Sequence, residues 1–324
     1  MKKKICRLFL GILFIISLAG CRTDKKTASA DTEPQKVELV VWGAEEDTEL
    51  MNQIIQKFKV KYGNQADFQI TFEVQGESNC KDVLIGGLEE GADVFTFADD
   101  QLHALAAAGA LDPIENEDKI KADNLPSAVE AASVNGSLYA YPLTADNGYF
   151  LYYNKQYISD EQAKTMDGIL QAAAANGKLF SMDWSSAWYV YSFFGNTGLK
   201  VGLNDDGITN YCTWNQTDGS VRGIDVAQAM LRIAGSSGFT NRTDEGFLDG
   251  VKNGSVAAGV SGVWNAVEIT KAWGENVGAS KLPTYTCNGS QIQMASFSGC
   301  KLIGVNAYSA HPKWAVLLAE WITN

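Results

Sequence analysis

The chain has 324 residues, and 26 Lys and Arg against 38 Asp and Glu give a formal net charge of −12. We expect no nucleic-acid partner, because phosphate contacts need a clustered basic surface and none is visible. The sequence contains no phosphate-binding loop, nucleophile elbow or zinc-protease motif, and only two histidines, His103 and His311. We therefore expect neither a metal nor a cofactor.

The N-terminus has the pattern of an export signal. Four basic residues within the first seven positions precede an apolar segment from Leu8 to Leu18, which is too short to span a bilayer as a stable helix. The segment ends in Leu-Ala-Gly-Cys, which resembles the lipobox of bacterial lipoproteins. We predict a signal peptide over residues 1–20, cleavage before Cys21, and a lipid on Cys21 that anchors the chain to the extracytoplasmic face of the cell membrane. The alternative is an uncleaved signal anchor.

Residues 21–36 are predicted to be a flexible tether. After Cys21 they read RTDKKTASADTEPQK, without a large apolar side chain to offset the entropy of ordering. Removal of the four signal cations leaves 22 Lys and Arg (26 minus 4) against 38 acidic residues, a net charge of −16. About 290 residues follow the tether, more than one core usually accommodates, so we expect two lobes.

Strand and helix patterns alternate after the tether. The predicted strands cover 37–42, 68–74 and 92–98, and the predicted helices cover 48–63 and 100–109. This order implies right-handed crossovers and a parallel sheet. Ligands of such α/β sheets bind beyond the carboxyl ends of the strands, so the loops after Trp42 and Phe97 are candidate sites.

A second lobe is predicted from the following sequence. Residues 180–198 are dense in aromatic side chains, helices are predicted over 221–238 and 244–254, and an apolar strand over 255–264. A final amphipathic helix begins beside Pro312.

Cysteine use is sparse outside the export signal. Cys287 and Cys300 flank a short hairpin-like segment and could form one bridge, while Cys80 and Cys212 have no evident partner. The alternative is that all four thiols are free.

Four stretches of the chain together resemble a known family. They are ADVFTFADDQLHALAAAGALDPI, VNGSLYAYPLTADNGYFLYYNK, VKNGSVAAGVSGVWNA and KLPTYTCNGSQIQMASFSGCKLIGVNAYSAHPKWAVLLAEWIT. In order and spacing they resemble the signature regions of the maltose-binding protein family, the extracellular solute-binding proteins of sugar ABC importers. The resemblance covers nearly the whole chain from Val37 onward.

The resemblance implies a periplasmic-binding-protein-like α/β fold, with two α/β lobes, a ligand cleft and crossing hinge strands. Lobe 1 is expected over 37–145, lobe 2 over 146–299, and a return to lobe 1 over 300–324. The crossings fall at 144–146 and 298–301. Because the family continues through further helices, we expect an incomplete C-terminus.

The resemblance also implies ligand-binding positions. The loop after the first strand offers acidic residues but lacks the family's lysine, Gln101 replaces an arginine that often follows the third strand, and Val263 replaces the proline that usually precedes the stacking tryptophan. The positions carried over are Glu45 and Glu46, Phe97 and Asp100, Asp146 and Asn147 at the crossing, Trp264 as the stacking tryptophan, and Trp184 and Trp188 in a region that supplies an aromatic wall.

These residue types suit carbohydrate. Aromatic rings accept the apolar faces of a pyranose, and carboxylates and amides accept hydrogen bonds from its hydroxyls. Other interpretations remain for three positions: Phe97 and Trp264 as core residues, and Asp100 as a helix N-cap.

The expected function is that of a substrate-binding lipoprotein. It would capture a malto-oligosaccharide or a related sugar and deliver it to the transmembrane subunits of an ABC permease, acting as a monomer and not as an enzyme. The alternatives are a binder of a non-maltose oligosaccharide, a surface-anchored glycan-acting enzyme using a carboxylate pair, and a binder of amino acids or peptides. An amino-acid site would need a charge pair for ammonium and carboxylate, which the aromatic-rich candidates do not suggest.

Changing Cys21→Ala should release the protein from the membrane, because the cysteine carries the expected lipid, and should leave ligand binding unchanged, because the tether lies outside the fold. Partitioning between aqueous and detergent phases measures the change. Cys6→Ala is the matched control, since Cys6 lies in the cleaved signal. A Cys21→Ala protein that still enters the detergent phase like the parent would contradict the lipoprotein interpretation.

Overall fold

A computed structural model describes residues 35–115, 117–205 and 209–324. The export signal, Cys21 and nearly all of the predicted tether lie outside these residues. In the described ranges, no helix is long and apolar enough to cross a membrane.

The described residues form fifteen strands and eleven α-helices. The strands are β1 (Lys36–Gly43), β2 (Asp67–Val74), β3 (Val94–Ala98), β4 (Ser133–Val134), β5 (Ser137–Leu138), β6 (Tyr141–Asn154), β7 (Leu179–Met182), β8 (Val201–Leu203), β9 (Asn210–Cys212), β10 (Phe239–Asn241), β11 (Val256–Gly262), β12 (Val277–Ser280), β13 (Thr284–Cys287), β14 (Ser290–Gln293) and β15 (Ser298–Val305). The helices are α1 (Thr48–Tyr62), α2 (Cys80–Ile85), α3 (Leu102–Ala107), α4 (Glu117–Asp123), α5 (Pro126–Ala131), α6 (Met166–Ala175), α7 (Ala187–Phe194), α8 (Gly223–Ala234), α9 (Asp244–Lys252), α10 (Ala266–Trp273) and α11 (Pro312–Ile322).

One large mixed sheet organises the chain. Its strands lie in the order β10, β7, β11, β6, β15, β3, β1, β2, and β12 pairs with the second half of β6. The neighbours β2, β1 and β3 are parallel, as are β10, β7 and β11. The parallel pairing predicted for the first strands is thus confirmed, with α1 providing the crossover between β1 and β2.

Strands β6 and β15 join two groups of hydrophobic clusters. Two clusters draw their residues from 37–143 and 300–322 and are together called the first core, and two others draw theirs from 149–297 and are together called the second core. β6 and β15 pair antiparallel with each other and pass from one core to the other. The expected lobe boundaries at 145/146 and 299/300 fall in the gaps between the cores, and on that basis we propose the same boundaries for the lobes.

Tight 3-10 turns follow the strands that end at the crossing of β6 and β15. They occupy Glu45–Asp47 after β1, Glu77–Asn79 after β2, Asp99–Gln101 after β3 and Val263–Asn265 after β11. The helix predicted to begin at Asp100 therefore begins at Leu102, after such a turn, and no side chain caps it. The N-cap alternative for Asp100 is wrong for this reason.

The four described cysteines are free. Cys287 is fully buried in the second core, whereas Cys300 is buried in the first core, so the segment between them does not close into a bridged hairpin. Cys80 is also buried and Cys212 is exposed. Of the two alternatives considered for Cys287 and Cys300, free thiols are the one observed.

A buried ion pair ties β15 to the turn after β2. The Lys301 ammonium lies 2.9 Å from the Glu77 carboxylate, and only 10% and 12% of the two side chains are exposed. Burial raises the pKa of Glu77, and the charge of Lys301 opposes the rise without cancelling it. Burial alone would lower the pKa of Lys301, but the neighbouring carboxylates of Glu77, Glu46 and Asp47 outweigh it and raise that pKa.

Changing Lys301→Met should lower the free energy of unfolding by about 3 to 5 kcal/mol at neutral pH, because it leaves the Glu77 carboxylate buried without its cation. A carboxyl with a raised pKa in the folded state binds protons more tightly there than in the unfolded chain, so the loss should shrink as pH falls toward 4.5, the ordinary pKa of Glu. Urea unfolding at several pH values measures it.

The matched control is Lys36→Met, which removes an exposed cation whose partner is Glu38, and should change stability little. A Lys301→Met deficit that stays constant between pH 5 and about pH 8 would show that Glu77 does not carry the penalty.

Candidate functional site

The register of the sheet brings the carboxyl ends of strands from both cores to one place. Ala98, the last residue of β3, pairs with Lys301. Gly262, the last residue of β11, pairs with Tyr149. Residues 144–149 and 298–301, called the crossing below, lie between these two strand ends and pair with each other. In an α/β sheet this is where a ligand is expected to bind.

Asp99 packs against the crossing from the first core's side. Its carboxylate accepts the backbone N–H of Cys300, and a Cβ atom on Gly299 would stand 2.7 Å from its Oδ1 atom. Glycine at 299 thus permits the close approach. Partial burial raises the pKa of Asp99 although backbone N–H groups stabilise its charged form.

Asp100 and Asp146 lie in the same neighbourhood. Asp100 is exposed, but the protein around its carboxyl reduces its hydration, and this, with the charge of Asp99, raises its pKa. Asp146 is exposed on β6. Burial raises the pKa of the Cys300 thiol, and the charges of Asp99 and Asp146 add to the rise, so both carboxylates lie near Cys300.

The other predicted polar residues, Asn147, Glu45 and Glu46, lie in or next to the crossing. Asn147 pairs with Gly299 in the ladder between β6 and β15 and is partly exposed. Glu45 and Glu46 are exposed in the turn after β1, and Glu46 lies 3.8 Å from the Lys301 ammonium. Glu45, Glu46, Asp99 and Asp100 thus follow the ends of β1 and β3 in the first core's half, and Asp146 lies in the crossing itself.

Phe97 does not belong to this surface. Its ring is completely buried in the first core, where it packs against Phe95 at a centroid distance of 5.5 Å. It alternates along β3 with residues that face the other side of the sheet, so the ring points into the core rather than past the strand end. The ring has no surface to offer a ligand, and the core interpretation considered for Phe97 applies.

Trp264 lies in the turn after β11 and is partly exposed. Its ring covers the backbone of Gly262 so closely that a Cβ atom there would overlap the six-membered ring. The indole N–H donates to Asp244 Oδ2 at 2.8 Å. Although the ring packs against the second core, its partial exposure leaves aromatic surface beside the crossing.

Trp188 belongs to an aromatic group at the other border of the crossing. Its ring stacks on Phe297 at 5.0 Å and 14°, and Phe297 also stacks on Tyr191 at 3.9 Å and 23°. Tyr149 meets the Trp188 ring edge-on, and its hydroxyl donates to the Trp188 carbonyl oxygen at 2.8 Å. We call Trp188, Tyr191, Phe297 and Tyr149 the aromatic shelf.

Trp184 is directed into the second core. Its ring contacts Phe239 at 4.4 Å and Phe193 at 5.4 Å, and its indole N–H is buried without a hydrogen-bond partner. The structure therefore brings Trp188 to the crossing and separates Trp184 from it.

Several residues at the crossing were not anticipated from the sequence. Asp99 is adjacent to the chosen Asp100, and a tight turn directly after β3 makes the first aspartate the one that reaches the crossing. Phe297 directly precedes the SGCK segment, which was predicted as a crossing, and Lys301 is the last residue of that segment. Asp244 gave no sequence signal, because its partners are 17 to 55 residues away along the chain.

Two surface depressions lie away from the crossing. One lies between α6 and α8 and is bordered by Asp167, Arg232 and Tyr285, and the other is bordered by residues 85–90 and Tyr308. Neither contains a residue of the crossing or a predicted ligand contact. Shape alone would make these depressions the candidate ligand sites. The strand ends, carboxylates and partly exposed rings instead favour the crossing as the candidate site.

No group of three or more His, Cys, Asp or Glu side chains in the described ranges is arranged to hold a metal ion.

Two α/β halves that share a sheet through crossing strands, with a polar and aromatic site where they meet, have the architecture of a two-lobed solute-binding protein. The chain belongs to the bacterial extracellular solute-binding protein family, whose model matches residues 53–324.

Individual relatives agree with this membership. The galactooligosaccharide-binding protein of Bacillus subtilis (strain 168) is 26% identical over 342 residues, an alignment that covers 100% of this chain and 77% of the relative. The maltotriose-binding protein of Pyrococcus abyssi (strain GE5 / Orsay) is 24% identical over 293 residues, covering 88% of this chain and 62% of the relative. The structure of the maltodextrin-binding protein MalE1 from L. casei BL23 without ligand is similar with a TM-score of 0.71 and 25% identity, over 89% of this chain and 75% of that one.

Changing Gly262→Ala should displace the Trp264 ring, because the added methyl group would occupy the space of the ring. We expect an altered near-ultraviolet circular dichroism spectrum and a loss of about 1 to 3 kcal/mol in the free energy of unfolding. Gly76→Ala is the matched control, since no atom lies within 4 Å of the new Cβ there. An unchanged spectrum together with unchanged stability would contradict the described contact.

Proposed function

We propose that this protein captures an oligosaccharide at the crossing of β6 and β15 and delivers it to an ABC permease. A malto-oligosaccharide or a related short oligosaccharide is the expected ligand. The observation that carries the proposal is the partly exposed Trp264, whose ring is held by Gly262 and Asp244 directly after the strand end that pairs with Tyr149 of the crossing.

The chemistry of the two borders supports a sugar. Trp264 and the aromatic shelf lie on the second core's side, while Asp99, Asp100 and the exposed glutamates lie on the first core's side. A pyranose has apolar C–H faces that pack on aromatic rings and a rim of hydroxyls that donate to carboxylates. With both residue types at one place, a sugar can pack its apolar face on the rings of the second core's half. Its hydroxyls can then donate to the carboxylates of the first core's half.

The relatives support the substrate class. Two of them are named as binding proteins for galactooligosaccharide and for maltotriose, which share short chains of neutral hexoses. Both names describe binding rather than catalysis, and this favours a non-catalytic role for the present chain as well.

The remaining elements of the proposal concern location and partners. An extracytoplasmic location follows from the family. We propose further that a lipid on Cys21 anchors the protein, that it acts as a monomer, and that the two lobes close on the ligand by rotation at residues 144–146 and 298–301. Closure would present a surface made by both lobes to the permease.

A glycan-acting enzyme is the competing class. Asp99 and Asp100 have raised pKa values, as catalytic acids often do. Incubating the protein with maltotriose and with galacto-oligosaccharides and measuring new reducing ends separates the two functions. The proposal expects binding without new ends, and steady release of new ends would replace it by the enzyme.

Changing Trp264→Ala should weaken sugar binding roughly tenfold or more, because covering one sugar face with aromatic surface is worth about 1.5 to 2 kcal/mol. Changing Asp146→Ala should cost about 1.5 to 3 kcal/mol, because hydroxyls in a closed cleft would lose a charged acceptor. Calorimetric titration with the tightest-binding member of a panel of maltose, maltotriose, cellobiose, xylobiose and galactosides measures both changes.

The control is Tyr308→Ala, an exposed aromatic residue away from the crossing, which should leave affinity unchanged. Without ligand, Asp146→Ala should melt like the parent because Asp146 is exposed, whereas Trp264→Ala should melt at a lower temperature because its ring packs against the second core and donates to Asp244. Unchanged affinity in both variants would show that the ligand site lies elsewhere, and Asp146→Ala carries the test if Trp264→Ala does not fold.

A further inference from the structure

Asp244 is the centre of a hydrogen-bond cluster in the second core. Its Oδ1 atom accepts from the hydroxyls of Ser261 at 2.7 Å and Tyr189 at 3.1 Å. Its Oδ2 atom accepts from the Trp264 indole N–H and from the Asn265 amide, both at 2.8 Å. One carboxylate thus joins the start of α9 to α7, β11 and the turn after β11.

Three members of the cluster are buried, while Asp244 and Trp264 are partly exposed. Ser261, Tyr189 and Asn265 are buried, and the Asn265 amide also donates to the Ser261 hydroxyl at 3.0 Å. Asp244 is the first residue of α9, whose N-cap hydroxyl on Thr243 accepts the Gly246 N–H. Because the backbone at a helix start favours negative charge, this position holds a carboxylate at little cost.

The geometry leaves the Trp264 ring little freedom. Its face lies on Gly262, and its edge is fixed by the hydrogen bond from the indole N–H to Asp244. Rotation about the Cβ–Cγ bond would break this hydrogen bond, and movement away from Gly262 would give up the packing. Two contacts of different kinds therefore define the plane that the ring presents at the crossing.

The same carboxylate connects Trp264 with the aromatic shelf. Tyr189, which donates to Asp244, packs against Tyr149 at a centroid distance of 5.0 Å, and Tyr149 meets Trp188 edge-on. The two aromatic surfaces at the crossing are thus held in one contiguous network.

We propose that Asp244 is a positioning residue for ligand binding, which fixes the Trp264 ring as a preorganised platform and acts through that ring without touching the ligand. This inference rests on the proposed function, because it assigns the platform a sugar. Its value for affinity comes from preorganisation, since a ring that is already ordered loses less side-chain entropy when the ligand binds.

Two substitutions of Asp244 should behave differently. In Asp244→Asn the remaining oxygen can face the Trp264 and Asn265 donors, while the new amide donates to the Tyr189 and Ser261 hydroxyls, which can also accept. Asp244→Asn should therefore keep the ring in place. In Asp244→Ala the Trp264 N–H loses its acceptor and the ring becomes free to turn.

The experiment combines spectroscopy with a double-mutant cycle. Protein labelled with 5-fluorotryptophan gives a fluorine NMR resonance for Trp264, which is assigned by its absence in Trp264→Phe. Without ligand, Asp244→Ala should shift or broaden this resonance, and Asp244→Asn should shift it less. The resonance of Trp321, which packs against the first core, is the internal control and should not move.

Affinity is measured by calorimetric titration with maltotriose and with galactobiose. Asp244→Ala should weaken binding by about tenfold, no more than Trp264→Ala does, and Asp244→Asn should recover most of the loss. In the Trp264→Phe background, which lacks the indole N–H, Asp244→Ala should have little further effect.

The outcomes separate the two claims. An unchanged Trp264 resonance in Asp244→Ala, or an equal loss of affinity from Asp244→Ala with and without the indole N–H, would overturn the positioning role. A loss in Asp244→Asn as large as in Asp244→Ala would also overturn it, because it would assign the carboxylate a direct contact. If the parent binds neither sugar, the proposed function fails, while the resonance still tests whether Asp244 orients the ring. If Asp244→Ala does not fold, Asp244→Asn carries the test: it should bind within a few-fold of the parent, and a loss of affinity of about tenfold or more would overturn the positioning role.

Discussion

The antiparallel pairing of β6 with β15 is the constraint on which the rest of this structure depends. These two strands run from one hydrophobic core into the other, so a single hydrogen-bonded ladder fixes where the two halves meet. The ladder also positions the turns after β3 and β11, because β3 ends beside Lys301 and β11 ends beside Tyr149. The register of the sheet thus brings residues from distant parts of the chain to one place.

The two halves bring different chemistry to this place. Carboxylates dominate the first core's side, and the buried Lys301–Glu77 pair connects the crossing strand to the turns behind them. Aromatic rings dominate the second core's side, where stacking between Phe297, Trp188 and Tyr191 and the hydrogen bonds to Asp244 hold them in place. Carboxylates in one half and aromatic rings in the other suit a ligand that has hydroxyl edges and apolar faces. Rings that are already fixed would bind such a ligand with a smaller loss of side-chain entropy.

Sequence reasoning succeeded where a signal is local. Alternation of apolar residues predicted β1, α1, β2 and β3 within a few residues, since these elements bury one face against a core that the pattern already implies. It failed at Phe97, because a strand-end aromatic can face either side of the sheet, and only the pairing of β3 with its neighbours decides which. It also failed to separate Trp188 from Trp184, which lie four residues apart, on opposite sides of the start of α7, and contact different partners.

The sequence by itself determined the α/β class, the order of the first strands and helices and the family resemblance, and the resemblance implied the two crossings at 144–146 and 298–301. The class and the element order follow from periodicity, and the resemblance follows from short motifs; both depend only on neighbours along the chain. Only the tertiary structure decided that Asp99 reaches the crossing beside Gly299, that Phe297 completes the aromatic shelf, and that Asp244 holds Trp264. These contacts join residues 20 to 200 positions apart, and a hydrogen bond or ring stack between such residues exists only after the sheet register has set the distance between their backbones.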